Sequence, residues 1–566
     1  MPRDLLSKRY SSFILIVLCT LTTFALQYLF RAFDDNRLTS WKWAFADMNM
    51  AWYLPVLLFA ILILYFLIKF SSARHGLFLT LLSFAASAAF WGTPEVIVDA
   101  SRYFTQAKHL EIYGVGYFIR EWGSGINAWT DMPLAPFLYG IFFKCFGESR
   151  TVVQVFTALL FSMTVMLTYL TGRRLWDEET GFFGGLMILG IPYVFSQTPL
   201  MLVDVPTMFF FTLSVFTFIC AVEKGGAWMI AAAVSIFCAA IVKYSTWLML
   251  SILPVIFIIY LIQQNGSWGK KEILYRGLLT SAIAGALIGI AVIYKYDVIS
   301  SQMVFLREYQ APGLRRWGES FTSTFLFQAH PFITLAGLFS FYHAFRKRDP
   351  KFLIISWLII LIIAMQIRRS RYVLIAFPML ALMASYGLQK VREIEIKRFI
   401  VSCIVASSLV TALFAVRPFL QSMSMVNIKD AGIFLDAVRT ERVEVYTVYS
   451  DGSIVNPAVA VPILDLFTDK DIVYHYDPDL APPFKKIEKS PLRFTWEYKN
   501  PEYYSPGRVV VDQHPAIVVI SNGPLKDLPE DLSKRIEGHR IAKTFNTSDG
   551  IFSYSPVVSV YLTEGQ

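Results

Sequence analysis

Charge is scarce in this chain. Only 16% of its 566 residues are Asp, Glu, Lys or Arg, while 55% are hydrophobic and the mean hydropathy is +0.51. That balance excludes a soluble protein of ordinary domains and puts most of the length in lipid. Cysteine is as sparse. Cys19, Cys145, Cys220, Cys238 and Cys403 all sit in apolar stretches without metal-ligand spacing, so neither a disulfide framework nor a zinc site is indicated, and packing is their role. No small-x-small cleavage site follows the first apolar run, which is therefore an uncleaved helix rather than a signal peptide. There is no internal repeat and no low-complexity linker. The formal net charge of +9 comes from basic residues dispersed between apolar runs, a pattern of cytoplasmic loops rather than of nucleic-acid binding.

The rest is apolar run and interruption. Thirteen spans are expected near 11–30, 51–69, 76–92, 151–171, 181–197, 205–222, 227–242, 245–263, 277–296, 331–345, 352–366, 372–388 and 399–416. The 48 Phe, 28 Tyr and 13 Trp suit lipid-facing helices with interfacial belts. Arg3, Lys8 and Arg9 ahead of the first span place the N-terminus in the cytoplasm. The basic loops at 69–74, 173–174, 270–276, 346–351 and 390–398 then also fall inside. This alternation holds only if 132–147, short and carrying Pro133 and Pro136, is a juxtamembrane or re-entrant helix that does not cross. The division expected is two N-terminal helices over 1–75, a transmembrane catalytic domain over 76–416 with an outer loop at 93–150, and an extracytoplasmic α/β domain over 417–566. In the last, strands are expected at 443–449, 471–476, 509–511 and 516–521, with helices at 429–439 and 456–467 and turns at Asp451-Gly452 and Asn522-Gly523.

Three polar features interrupt the apolar chain. In 99–106, Asp99, Arg102, Tyr103 and Gln106 share one helical face just beyond the third span; the alternative is a solvated helix in which Asp99 only pairs with Arg102. Asp204 has apolar neighbours on both sides at membrane depth, where an acid is costly and by default functional; the alternative, compatible with function, is a helix N-cap ahead of Val205-Pro206. Arg368, Arg369 and Arg371 cluster in an outer loop against the positive-inside trend. Guanidinium groups there suit a lipid-borne phosphate, and headgroup anchoring is the alternative. Lys243, in a tight outer turn, adds a cation. The outer loop 297–330, with Asp297, Glu308, Arg315, Arg316 and His330, is long enough to cover a site. In this topology all of these share one side of the membrane.

The residues D-A-S-R-Y (99–103), M-P-L-A-P-F-L-Y (132–139), G-R-R-L-W (172–176), L-V-D-V-P (202–206), V-K-Y-S (242–245) and R-Y-V-L-I-A-F-P (371–378) occur in that order. In order and sidedness they resemble the GT-C superfamily of polyprenyl-phosphate-dependent glycosyltransferases, in the branch of the protein O-mannosyltransferases and the lipid A aminoarabinose transferase. The resemblance covers about residues 76–390 and implies a GT-C-like helical membrane protein that moves a sugar from a polyprenyl-monophosphate donor to a lipid, glycan or protein hydroxyl, with inversion. It implies Asp99 as general base, Asp204 as second catalytic acid, and Arg102, Lys243, Arg368, Arg369 and Arg371 on the donor phosphate. Tyr103, Asp131 and Tyr372 are expected beside lipid or acceptor. Whether Asp204 orients the acceptor or holds a divalent cation with Asp99 stays open. Two departures shift weight onto Lys243 and the arginines. Ala100 stands where the family commonly has a second acid, and Met132, after Asp131, stands where relatives carry a phosphate-contacting lysine. Two other classes compete: a transporter or lipid flippase, for which paired broken-helix repeats are missing, and a lipid-linked glycan ligase or polymerase using a pyrophosphate carrier.

Overall fold

The computed structural model describes residues 3–563 except 47, 49, 72–73, 130, 264–268, 311–317, 450–452, 478–479, 488–489, 506–514, 526–527 and 553. Arg315, Arg316, the Asp451-Gly452 turn and the 509–511 strand lie outside the described residues.

Among those described, eight helices are long and apolar enough to cross a membrane: Tyr10–Leu29, Met50–Phe70, Arg150–Leu175, Asp204–Lys224, Ser245–Gln263, Lys270–Tyr294, Ser370–Lys390 and Ile394–Ser422. The other five expected spans are helical but short or broken. His75–Ala88, Ala227–Val242 and Phe352–Ala364 have 14, 16 and 13 residues. The 181–197 run splits into Glu178–Leu189 and Pro192–Gln197. Proline has no N–H to donate, so Pro192 starts a helix but cannot continue one. Pro331 does the same. A wide turn over Ser323–Ala329 meets the Pro331–Lys347 helix at 120°, with His330 at the bend buried against Ser407 Oγ at 2.8 Å. A hydropathy window counts such apolar residues without sensing the break.

The bundle has two chemically distinct ends. Asp204 and Glu223 lie at opposite ends of one helix, about 30 Å apart at 1.5 Å per residue. Around Glu223 the basic loops gather: Arg174 pairs with Glu223, Lys397 with Glu179, and Lys351 Nζ donates to the Leu175 carbonyl at 3.0 Å. Around Asp204 gather Asp99, Lys243 and Arg371.

Between the 75–88 and 150–175 helices the chain stays at the Asp204 end. The Ile97–Tyr113 helix packs on Leu134–Phe146 so closely that a Cβ on Gly140 would lie 2.7 Å from the Ala107 carbonyl oxygen. At 13 residues the second helix is about 20 Å long, short of the ~30 Å hydrocarbon core. A buried Glu95–Arg150 pair at 2.8 Å fixes the segment's two flanks. Glu95 also accepts from the Met201 amide at 2.9 Å, and the Tyr139 hydroxyl donates to the Leu202 carbonyl at 2.8 Å. These bonds hold the turn that presents Asp204.

The C-terminal region forms a five-stranded sheet of order β2-β1-β3-β5-β4, with β1 Arg442–Val448, β2 Asp471–His475, β3 Ala516–Asn522, β4 His539–Phe545 and β5 Pro556–Thr563. β1 to β3 run parallel, and β5 returns antiparallel to both β3 and β4. Helices form at Val426–Asp436 and Val461–Asp465, the second preceded by a 3-10 turn over Pro457–Ala460. Residue 417 falls within the Ile394–Ser422 helix, so bundle and sheet region join through a continuous helix. Lys108 adds a buried tie, 2.5 Å from Asp465 and 3.1 Å from Glu148.

The N-terminal helices are joined by a loop that reaches the Asp204 end, and Asp34 anchors it. Its carboxylate is 1% exposed and accepts from the Trp41 and Asn36 amides, the Ser323 hydroxyl and Gln328 Nε2. Burial pushes its pKa up to about 6 despite those bonds. A folded value above the ordinary 3.8 means stability that is full below the unfolded value and lost as pH rises through the folded one. The thermal midpoint of the purified protein should therefore carry a loss of about 3 kcal/mol between about pH 4 and pH 6 that Asp34→Asn lacks. Parallel midpoint curves for the two proteins would show that Asp34 carries no such load.

Candidate functional site

Asp99 stands in the first turn of the 97–113 helix and Asp204 at the first residue of the 204–224 helix, so each meets a positive helix end. Arg371 joins them. Its Nε donates to Asp204 Oδ2 at 2.6 Å and its Nη1 to Asp99 Oδ2. The other carboxylate oxygens are also engaged: Arg102 Nη2 lies 3.1 Å from Asp99 Oδ1, and Lys243 Nζ 2.6 Å from Asp204 Oδ1. The N-cap position of this helix is Val203, so Asp204 stands one residue inside it. Its oxygens serve the cations instead, and the capping alternative falls away.

Asp131 completes the chain of charges. Its Oδ1 accepts from the Tyr103 hydroxyl at 3.2 Å and lies 3.3 Å from Arg102 Nη2, while Oδ2 is buried without a hydrogen-bond partner. Burial raises the Asp131 carboxyl and the Asp99 charge raises it further, against the pull of Arg102. On Asp99, burial acts upward too, but the Arg371 and Arg102 guanidiniums outweigh it and hold the carboxyl well below the ordinary range. Two neighbouring carboxyls are thereby driven apart.

A cavity of about 920 Å³ opens on this cluster. Among the described residues five cations line it, Arg37, Arg102, Lys243, Arg369 and Arg371, against three acids, Asp99, Asp131 and Glu319. Asp204 is not in the wall; it is buried behind Lys243 and Arg371. Tyr372 lies between two cations, with Lys243 Nζ 5.3 Å and the Arg369 guanidinium 5.2 Å from its ring centre. Arg369 also lies 3.8 Å from Glu319. One side of the cavity is apolar and reaches the lipid-facing surface at Leu248 and Met365, which are 43% and 56% exposed. Ile454, Leu492 and Phe552 of the C-terminal region roof it.

The structure thus brings together Asp99, Arg102, Tyr103, Asp131, Lys243, Arg369, Arg371 and Tyr372. Arg368 is left out. It is exposed, donating to Gln366 Oε1 at 2.9 Å, and lies outside the cavity wall. Asp297, Glu308 and His330 also lie outside it; the same outer loop instead contributes Glu319 and Leu306. Gln302 from that loop donates to the Trp129 and Asp131 carbonyls at 3.0 and 3.1 Å and accepts from the Tyr244 hydroxyl, clamping Asp131 in place. Arg37, Glu319 and Gln302 had no pattern in the sequence to mark them.

The Asp99–Asp204 pair does not make a cation site as it stands. All four oxygens face protonated nitrogens, and among the described residues no group of three His, Cys, Asp or Glu side chains could hold a metal ion.

Residues 130–294 match the family model described as dolichyl-phosphate-mannose-protein mannosyltransferase. No curated protein sequence matches the chain. Among solved structures, ArnT from Cupriavidus metallidurans bound to undecaprenyl phosphate aligns with TM-score 0.54 at 11% identity, over 86% of this chain and 97% of that one. The apo state of ArnT gives 0.51 at 12%, over 85% and 97%. The oligosaccharyltransferase AglB from Archaeoglobus fulgidus, in complex with an inhibitory peptide and a dolichol-phosphate, gives 0.47 at 12%, over 80% and 70%. A helical body with eight apolar spans among its described residues, capped by a small sheet, makes the chain a multi-pass membrane protein that shares the fold of the ArnT structures over 86% of its length and matches a dolichyl-phosphate-mannose-protein mannosyltransferase model across its centre.

Proposed function

We propose that this protein transfers a sugar from a polyprenyl-monophosphate donor to an acceptor hydroxyl, inverting the anomeric carbon, on the extracytoplasmic face of a cell membrane. One observation carries the reading: five cations and the Asp99 carboxylate share a cavity whose apolar side reaches the lipid-facing surface. A phosphate on a lipid needs that combination, and the ArnT structure that this chain resembles is bound to undecaprenyl phosphate. The orientation follows from the basic loops gathered at the opposite end, which by the positive-inside bias is cytoplasmic. The N-terminus is then cytoplasmic, residues 76–416 form the catalytic part, and residues 417–566 stand outside.

In the step proposed, the acceptor oxygen attacks the anomeric carbon as the bond from that carbon to the phosphate oxygen breaks. The electron pair leaves with polyprenyl phosphate, and the hydroxyl proton passes to Asp99. Lys243, Arg369 and Arg371 stabilise the phosphate charge. Asp204 is a positioning residue that aims Lys243 and Arg371. Arg371 also explains how so acidic a carboxylate becomes a base. A donor phosphate competes for its guanidinium, and each bond it withdraws from Asp99 returns that carboxylate toward ordinary basicity. Asp131, which lines the cavity beside Asp99, is the residue that orients the acceptor.

Purified protein incubated with a radiolabelled polyprenyl-monophosphate sugar and membrane acceptors should release polyprenyl phosphate and label the acceptor. Turnover only with a pyrophosphate-linked donor would favour the ligase reading. Movement of intact lipid across liposomes without cleavage would favour the flippase.

A further inference from the structure

The opposite end of the bundle holds a second cavity, of about 620 Å³, between the ends of the Arg150–Leu175 and Asp204–Lys224 helices and beside Ala227–Val242 and Lys270–Tyr294. Among the described residues Glu223 is its one acid, already engaged by Arg174 and by the Tyr260 hydroxyl at 2.7 Å. Against it stand Arg173, Arg174, Lys224 and Lys351.

Part of this charge has an ordinary explanation, because cations settle at the negative ends of helices. Lys351 donates to the last carbonyl of the first helix, and Arg276, just outside the wall, to the Val222 and Glu223 carbonyls at 3.3 and 2.6 Å. Arg173 and Lys224 are not used that way. The Arg173 guanidinium reaches the Tyr169 hydroxyl at 3.2 Å, the Lys224 ammonium lies 5.4 Å from the Trp228 ring centre, and among the described residues neither forms an ion pair with a carboxylate. Both line the cavity. Its deeper wall is apolar, with Leu170, Phe216, Trp228 and Ile273. Beside it Ile230 and Leu274 are 61% and 44% exposed on the surface that faces lipid.

We propose that this cavity binds the phosphate of an anionic phospholipid from the leaflet opposite the catalytic cavity. The phosphodiester would sit between Arg173 and Lys224, with the acyl chains running along Phe216 and Trp228 into the bilayer. Basic pockets between helices at the membrane surface take anionic headgroups. An inorganic phosphate would satisfy the same cations, but it has no use for the apolar wall and the lipid-facing edge.

The test is lipid retention by full-length protein in mixed vesicles of phosphatidylcholine and phosphatidylglycerol, read by native mass spectrometry after detergent exchange. Wild type should keep bound phosphatidylglycerol, and the R173Q/K224Q variant should retain it about 30-fold more weakly, the scale expected for losing two surface cations. The conservative R173K/K224R variant should retain it nearly as well as wild type, which also controls for folding. Equal retention by wild type and R173Q/K224Q would overturn the proposal. So would displacement of the lipid by millimolar inorganic phosphate, which would identify a free-anion site, and so would indifference between phosphatidylglycerol and phosphatidylcholine.

Discussion

Asp99→Asn should lower sugar transfer by about 10²–10⁴-fold, the range a positioned general base supplies, while the protein still folds and still binds donor. The change keeps the side-chain shape and removes only charge and basicity. It strands neither arginine, because Arg102 retains Asp131 and Arg371 retains Asp204. Loss of turnover with intact donor binding would therefore identify a proton acceptor rather than a strut. Stability supplies the control. A carboxyl held below its ordinary value contributes stability that is present above the unfolded value and lost only as pH falls through the folded one. Above about pH 5, then, the difference in thermal midpoint between wild type and variant should not change with pH. The acid limb of the wild-type rate should instead follow a group with a raised value, and Asp131 is the one that lines the cavity beside Asp99. Near-normal turnover in Asp99→Asn would end the assignment.

The fold class was legible because lipid leaves a strong mark: a chain so poor in charge, with apolar runs near 20 residues, has few other solutions. Asp204 and Lys243 stood out for the same reason, since ionised groups at membrane depth are expensive. What stayed hidden depends on direction and distance, which composition does not carry. Three arginines crowd into four residues, but a helix beginning at Ser370 turns Arg371 to the carboxylates and leaves Arg368 outside the cavity. Asp204 reads as a catalytic acid until its oxygens are seen behind two cations. Arg37 and Glu319 come from loops far apart in sequence, joined through Asp34 and its partners at Ser323 and Gln328 and through Asp35 at the Ser320 amide. β4 escaped notice because five of its seven residues are exposed and none of the usual alternation appears.

Arg371→Gln should be the most damaging substitution in the molecule. A glutamine amide cannot reach two carboxylates with charge-assisted bonds, so Asp99 keeps only Arg102 and Asp204 only Lys243. Removing one partner from a buried ion network costs about 3–5 kcal/mol, a large part of the stability of most proteins. Transfer should vanish as well, because the donor phosphate loses the cation that also releases Asp99. These two effects separate in a double-mutant cycle. Adding Asp204→Asn to Arg371→Gln removes the excess negative charge left in the cluster and should recover a good part of the lost thermal midpoint, an interaction of the 0.5–3 kcal/mol size found between contacting residues. It should recover no activity. If the double variant regained turnover along with stability, Arg371 would be holding the fold and not the phosphate, and the donor site would have to be rebuilt around Lys243 and Arg369.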